Sequence, residues 1–267
     1  MTVPFNSVLA LPPELAALIQ GYSSRPVTNG YSGASVFYLY AAHKPAFYLK
    51  TATPDSEVIF TPEVERLNWL KDRLPVPQVL YYRQSPAGEY LLLSEVTGVM
   101  AYGEAFKSKP AEVVKRLAEG LKLIHSLDTS ECPFDSGLDS QLEAARQRLK
   151  DGLVDEADFD EKRLGRKAPD LFEELLRTRP ASEDLVFTHG DYCLPNIIIQ
   201  PDCRKISGFI DLGRSGVADR YQDLALAARS LPFNLGPGLV GLLFEEYGLK
   251  EVDWAKIEFY QLLDEFF

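Results

Sequence analysis

The sequence predicts an α+β chain of two lobes, an N-terminal antiparallel five-stranded sheet lobe over residues 1–97 and a mainly helical C-terminal lobe over 98–267. Three observations predict it. Short apolar runs of strand length, divided by turn residues, crowd the N-terminal third of the chain. Apolar stripes at helical spacing fill most of the rest. Between them, the stretch from Leu185 to Gly213 holds three apolar runs whose ends carry His189, Asp191, Asn196 and Asp211.

In chain order, Pro12-Pro13 opens a short amphipathic helix that places Leu15, Leu18 and Ile19 on one face and stops at Gly21. The segment from Asn29 to Ser35 joins two strands, the second from Val36 to Tyr40. Its small residues suit a loop folded over phosphates, with Ser32 or Ser35 as a hydroxyl donor, and they suit a plain hairpin turn equally well. A third strand, Ala46 to Leu49, ends at Lys50. Thr61-Pro62 then marks a helix start, with Thr61 as N-cap, and Glu63, Leu67 and Leu70 fall on its inward face. A buried carboxylate needs a partner, and Lys50 is the obvious one. Glu65 points elsewhere. Val79 to Tyr82 and Glu89 to Leu93 complete the sheet around a turn at Pro86-Ala87-Gly88, and Ser94 to Gly98 is the natural lobe boundary.

Beyond it, Pro110 begins a long helix with Val114, Leu117, Leu121 and Ile124 inward and His125, near its end, in a cap or a structural hydrogen bond. Helices over Leu138 to Leu149 and Pro169 to Leu176 flank a run of five acids in seven residues, Asp155, Glu156, Asp158, Asp160 and Glu161. Such a run is ordinarily a solvated face; turned to a cleft it is a cation receptor. Val217 to Ser230, Leu239 to Tyr247 and Asp253 to Leu263 read as further helices. The last residues, Asp264-Glu265-Phe266-Phe267, combine two acids with two rings that are costly to leave in water, so this end is expected to dock with its acids held in place.

Antiparallel pairing of Ile197–Ile199 with Ile206–Ile210 would bring Asn196 and Asp211 to the same end of a hairpin, with Asp191 five residues before Asn196. An amide and two carboxylates suit Mg²⁺, which prefers oxygen ligands and keeps waters and substrate phosphates. The spacing is more telling than the chemistry. Protein kinases use H-R-D-x-x-x-x-N followed by D-F-G; here His189-Gly190-Asp191 with Asn196, then Asp211-Leu212-Gly213, reproduce both, with Gly for Arg and Leu for Phe. Lys50 stands where a kinase keeps its phosphate-binding lysine.

Bulk properties narrow the function. At 267 residues and 46% hydrophobic content the chain can build a large core, and a net charge of −11 argues against a nucleic-acid surface and for cationic partners. Three cysteines without a C-x-x-C and three histidines leave neither a disulfide framework nor a zinc site. No apolar stretch reaches the roughly 20 residues needed to cross a membrane, so the expectation is a soluble, cytoplasmic protein, a monomer or weak dimer without membrane or nucleic-acid partners.

Together, His189-Gly190-Asp191…Asn196, Ser207 to Arg214, Ala218-Asp219-Arg220-Tyr221-Gln222-Asp223 and Leu262 to Phe267 resemble the aminoglycoside 3′-phosphotransferases, enzymes of protein-kinase-like fold, over nearly the whole chain. The resemblance implies an ATP- and Mg²⁺-dependent kinase acting on the 3′-hydroxyl of kanamycin- and neomycin-type antibiotics. Asp191 would be the base, Asn196 and Asp211 the Mg²⁺ ligands, and Arg214 a neighbour of the transferring group. Lys50, steadied by Glu63, would meet the phosphates, with Ser32 in the phosphate loop. Tyr48 would stack on adenine, and the backbone at Ser94 and Val96 would bond its edge. Asp158, Asp160, Glu161, Arg229, Asp264, Glu265 and the carboxylate of Phe267 would receive the drug. Leu231 to Asn234 lacks an acid that some relatives carry there. A related small-molecule kinase for macrolides or choline-like alcohols is the alternative, and a non-catalytic pseudokinase a more distant one.

Overall fold

The computed structural model describes residues 11–27, 33–56, 58–102 and 104–267. The chain forms two compact units, residues 1–97 with 208–213, and residues 98–207 with 214–267. Ser32 and Gly30 of the expected phosphate loop lie outside the described residues.

The first unit holds a five-stranded antiparallel sheet in the order β1-β2-β3-β5-β4, from β1 (Ser23–Val27), β2 (Ser35–Tyr40), β3 (Phe47–Ala52), β4 (Val79–Ser85) and β5 (Gly88–Ser94). Helix α1 (Pro13–Leu18) buries Leu15, and Ile19 just beyond it, against Leu39, Leu49, Tyr90 and Leu92, whereas Leu18, expected on that face, is 51% exposed. Six residues leave α1 too short to keep a third apolar position inward. The strand expected to stop at Lys50 runs on to Ala52, because Thr51 and Ala52 continue the ladder opposite Tyr90 and Glu89. Lys50 is therefore a mid-strand residue with a rigid backbone on both sides. At the β4–β5 hairpin Gly88 has φ +123°, and a Cβ there would meet the Ala52 carbonyl at 2.3 Å, which reserves the position for glycine. Helix α2 (Thr61–Leu70) buries Glu63, Leu67 and Leu70. Thr61 is not its N-cap: it is the first helical residue, and its hydroxyl bonds the Tyr82 hydroxyl at 2.6 Å.

The second unit opens with β6 (Val99–Met100), a strand the sequence pattern does not show, paired with β8 (Ile197–Ile199). Two residues carry too little periodicity to be read. Helix α3 (Pro110–His125) buries Val114, Leu117, Leu121 and Ile124 as its stripe requires, and α4 (Leu138–Asp151) and α5 (Ala168–Arg177) follow. Strand β7 (Leu185–Thr188) pairs antiparallel with β10 (Gly216–Asp219), and Thr188 bonds the Gly216 carbonyl at 3.0 Å. Residues 217–219, expected to open a helix, are thus a strand; the helix, α6 (Tyr221–Leu235), begins after it. Strand β9 (Ile206–Phe209) follows β8 in the sheet order, and the chain joins the first unit at Gly208. Helices α7 (Val240–Tyr247) and α8 (Trp254–Asp264) complete the unit, α8 capped by Asp253, whose carboxylate accepts the Lys256 N–H at 3.0 Å. Phe266 is fully buried, so the end of the chain docks. Among the described residues no helix is long and apolar enough to cross a membrane.

Candidate active site

In the first unit, Lys50 Nζ lies 2.8 Å from both carboxylate oxygens of Glu63 and 3.1 Å from Asp211 Oδ1. The arrangement follows from register: Lys50 stands opposite Val36 and Leu91 in the sheet, and Glu63 sits in the first turn of α2, inward with Leu67 and Leu70. Burial alone would strip the charge from Lys50, but the carboxylates of Glu63 and Asp211 outweigh it and hold the ammonium well above the ordinary lysine range. Lys50 is thus a permanently charged, pre-aimed cation. Glu65 is exposed, as its position on the helix requires. Asp211, at φ +62°, occupies the left-handed region that Asp tolerates better than most residues, and its side chain is 53% exposed.

Tyr48 is half-buried on β3, its ring 5.2 Å from that of Tyr38 and tilted by 58°. At Ser94 the sheet changes partners. The Ser94 N–H donates to the Gln78 carbonyl at 3.0 Å, but the returning Gln78 N–H goes to the Ser94 hydroxyl at 2.8 Å. The hydroxyl thus takes the donor that a continued ladder would send to the Ser94 carbonyl. Val96 follows two residues on, half-buried.

In the second unit, the loop after β7 is bound to α6 from beneath. Asp223, fully buried, accepts the His189 N–H at 2.7 Å and the Gly190 N–H at 2.9 Å, one on each carboxylate oxygen, and its Oδ2 lies 3.1 Å from His125 Nε2. His125 Nδ1 in turn lies 2.8 Å from the Tyr247 hydroxyl. Gln222 donates to the Gly190 carbonyl at 3.3 Å, and Tyr192, wholly buried, donates to the Leu117 carbonyl at 2.8 Å. Gly190 has φ +85°, and a Cβ would fall 2.3 Å from the Arg214 carbonyl, which explains why glycine stands where protein kinases have arginine. Asp191 is half-buried at the top of this frame. Its Oδ2 accepts the Asn196 Nδ2–H at 2.8 Å, and its carbonyl accepts the same group at 3.0 Å. The Asn196 nitrogen being so committed, the amide presents its oxygen away from Asp191.

Those donors fit Mg²⁺. Among the described residues no three His, Cys, Asp or Glu side chains gather as a protein-only metal cage. An ion that keeps waters and phosphate oxygens does not need one: an amide oxygen and one or two carboxylates suffice.

The acids of the C-terminal residues are already threaded with arginines. Arg214 meets Asp264 at 2.7 Å and lies over the Phe267 ring at 4.8 Å; Arg229 pairs with Asp264 and approaches Glu265 at 3.6 Å; Arg163 pairs with Asp160 and meets Glu265 at 3.3 Å. Burial opposes the charge on Asp264, but the two arginines prevail and hold its carboxyl below the usual range. Burial opposes the charge on Arg214, but the carboxylates of Asp264 and then Asp191 outweigh it and raise its pKa. Asp160 and Glu265 join the cluster, whereas Asp158 and Glu161 are exposed.

Comparison with known proteins follows the same lines. A sequence model of the phosphotransferase enzyme family matches residues 23–260. An aminoglycoside 3′-phosphotransferase of Niallia circulans is 43% identical over 96% of this chain and 97% of its own, and one of Escherichia coli is 36% identical over 95% and 93%. The chain belongs to the aminoglycoside phosphotransferase family. The solved structure of a type VIII aminoglycoside 3′-phosphotransferase superposes with a TM-score of 0.86 at 35% identity, covering 95% of this chain and 97% of its own. The solved structure of an aminoglycoside phosphotransferase of the 3″ type, from Streptomyces rimosus in complex with ADP and streptomycin, superposes at 0.79 with 29% identity, covering 94% and 95%. The fold is the protein-kinase-like fold of this family.

Within that family fold, sequence reading overlooks Asp223 and Arg163. Asp223 lies inside a run that carries the resemblance, yet its partners are 33 to 98 residues away. Its only local sign is an acid in the first turn of an apolar helix. Arg163 stands three residues from Asp160 at the edge of the acid run, and only its burial, 6% exposed, separates it from a solvated cation.

Lys50 gives a test of the first unit. Replacing it by Met leaves Glu63 buried without its ammonium, which costs on the order of 3 kcal/mol. In Lys50→Met burial holds the Glu63 carboxyl above its unfolded value, so the folded state binds the extra proton and stability falls as pH rises through the carboxylate range. Adding Glu63→Gln should restore the melting temperature and remove that slope without restoring activity. Equal melting of the single variant and the parent at neutral pH would contradict the pairing.

Proposed function

We propose that this protein is a cytoplasmic aminoglycoside 3′-phosphotransferase: it moves the γ-phosphoryl group of ATP, with Mg²⁺, to the 3′-hydroxyl of kanamycin- and neomycin-type antibiotics and so confers resistance. The observation that carries this reading is Asp191, held by its frame of buried hydrogen bonds on a chain whose relatives across nearly its full length bear the 3′ name. Residues 1–97 serve as the nucleotide-binding lobe and 98–267 as the lobe of the catalytic loop and the antibiotic.

Phosphoryl transfer passes through a loose transition state, so positioning and charge neutralisation supply most of the rate. Asp191 accepts the hydrogen bond of the 3′-hydroxyl and aims its oxygen. Lys50, already charged and held by Glu63, receives phosphate oxygens, and Arg214 neutralises charge beside Asp191. Mg²⁺, when bound by Asn196 and Asp211, supplies a further countercharge for the phosphates. Tyr48 offers its ring to adenine, with the Ser94 carbonyl and the Val96 N–H as edge partners. Asp158, Asp160, Glu161, Asp264 and Glu265 receive ammonium groups, a pair at the exposed Asp158 or Glu161 contributing about 1 kcal/mol before screening. Arg229 and Phe267 complete that surface.

Mass spectrometry of kanamycin after incubation with protein, ATP and Mg²⁺, beside a 3′-deoxy analogue, tests the reading. One phosphate is expected on the first and none on the second. Phosphate on both would move the reaction to another hydroxyl, and turnover of choline or a macrolide alone would replace the substrate class.

Glu265 adds a pH dependence. Burial raises its carboxyl to about 7; the Asp160 N–H pulls it down, and the Asp160 charge adds to the rise. An arriving ammonium favours the carboxylate, so binding releases a proton, and the drug KM should fall as pH rises through about 7. Glu265→Gln should flatten that part of the profile. An unchanged slope in the variant would assign it to the drug's own amines.

A further inference from the structure

We infer that Arg163 is the positioning residue for the amine-binding acids: its guanidinium fastens Asp160 to Glu265 and thereby sets how tightly the cationic substrate is held. The inference rests on the aminoglycoside reading above and deepens it.

The geometry is that of a clamp. The Arg163 backbone N–H donates to Asp160 Oδ1 at 3.1 Å, and Nη1 pairs with Asp160 Oδ2, so one residue grips both oxygens of that carboxylate. The same Nη1 reaches Glu265 Oε1 at 3.3 Å. Nη2 lies 3.4 Å from the Glu258 carbonyl and 3.7 Å from its carboxylate, tying the clamp to the middle of α8. The Asp160 N–H closes the ring by donating to Glu265 Oε2 at 3.0 Å. A planar guanidinium can serve two carboxylates and a carbonyl at once, which a lysine cannot.

Exposure shows the direction in which the clamp acts. The Arg163 side chain is 7% exposed and that of Glu265 3%, against 21% for Asp160. The arginine therefore lies behind the acid that meets solvent. An ammonium approaching Asp160 finds a carboxylate whose place is fixed before binding, and binding need not order it. Without Arg163, the Asp160 carboxylate would lose the guanidinium that fixes its place, and the loop from 155 to 165 would keep only the Asp160 N–H to Glu265 and the exposed Lys162–Glu258 pair as ties to the end of the chain and α8. Arg163 itself bonds neither the catalytic loop nor Lys50, and Glu265 is linked to Arg214 only through Arg229 and Asp264, so the substrate KM should bear most of the loss.

The test is steady-state kinetics of Arg163→Met and Arg163→Lys with kanamycin and ATP, beside the parent and Asp160→Asn. Arg163→Met should raise the drug KM about tenfold with kcat and the ATP KM within about twofold, and Arg163→Lys should recover part of the loss. In the Asp160→Asn background, Arg163→Met should add little, since it acts through that acid. If Arg163→Met does not fold, Arg163→Lys carries the test, with a smaller rise of the drug KM alone. An unchanged drug KM, a matching fall in kcat, or full additivity with Asp160→Asn overturns the inference. A parent enzyme that phosphorylates no aminoglycoside removes the reading beneath it, a failure visible before any variant is made.

Discussion

Asp191→Asn should lower kcat for aminoglycoside phosphorylation by roughly 10²- to 10⁴-fold, the range over which a positioned acid or base contributes, and leave folding intact. The substitution is nearly isosteric. The His189 and Gly190 N–H groups stay on Asp223, Tyr192 stays on the Leu117 carbonyl, and Gly190 keeps its left-handed turn. What changes is the charge and the acceptor. An amide in this position turns a donor towards Asn196 or towards the sugar hydroxyl, and it removes a negative charge that acts on Arg214. The ATP KM should move little, because the substitution leaves the Lys50–Glu63 pair intact. Drug-dependent ADP release, with thermal unfolding as the control, checks this. Release at the parental rate would show that Asp191 does not orient the hydroxyl. Loss of rate together with a large drop in melting temperature would place its role in folding.

How much of this was legible in the sequence depended on the distance between partners. Glu63 reads as inward from its own helix, with Leu67 and Leu70 four and seven residues on, and Lys50 is near enough in the chain to be named its partner. The apolar stripe of α3 and the strand pattern of the first unit are likewise local. Local reasoning fails where a residue's preference is overridden from afar. Thr61 has the chemistry of an N-cap, but its hydroxyl is taken by Tyr82 on a strand that follows much later. Val217 to Asp219 precede an apolar helix and look continuous with it until β7 pairs with them. The acid run illustrates both cases. Composition alone marks it as charged and solvated, which holds for Asp158 and Glu161, while Asp160 is drawn in by Arg163 and Glu265 across 105 residues of chain.

Asp223→Ala should cost stability on the order of 3 to 5 kcal/mol. Its carboxylate is fully buried and accepts the His189 and Gly190 backbone donors while bonding His125. Truncation strands both N–H groups away from water, and each costs about 1 to 3 kcal/mol. It also leaves His125, whose other nitrogen already meets Tyr247, with one side empty. Asp223→Asn separates charge from shape. An amide can accept from only one of the two backbone donors and must turn its own NH₂ towards the other, so it should recover only part of the loss. Because His189 and Gly190 immediately precede Asp191, the loop should loosen before the domain unfolds, and kcat should fall at temperatures where both variants are still folded. Denaturant unfolding monitored beside kcat resolves the two effects. Parental stability in Asp223→Asn would mean that the frame beneath the catalytic loop is carried by Gln222 and Tyr192 instead, whose bonds to the Gly190 and Leu117 carbonyls would then have to hold it alone.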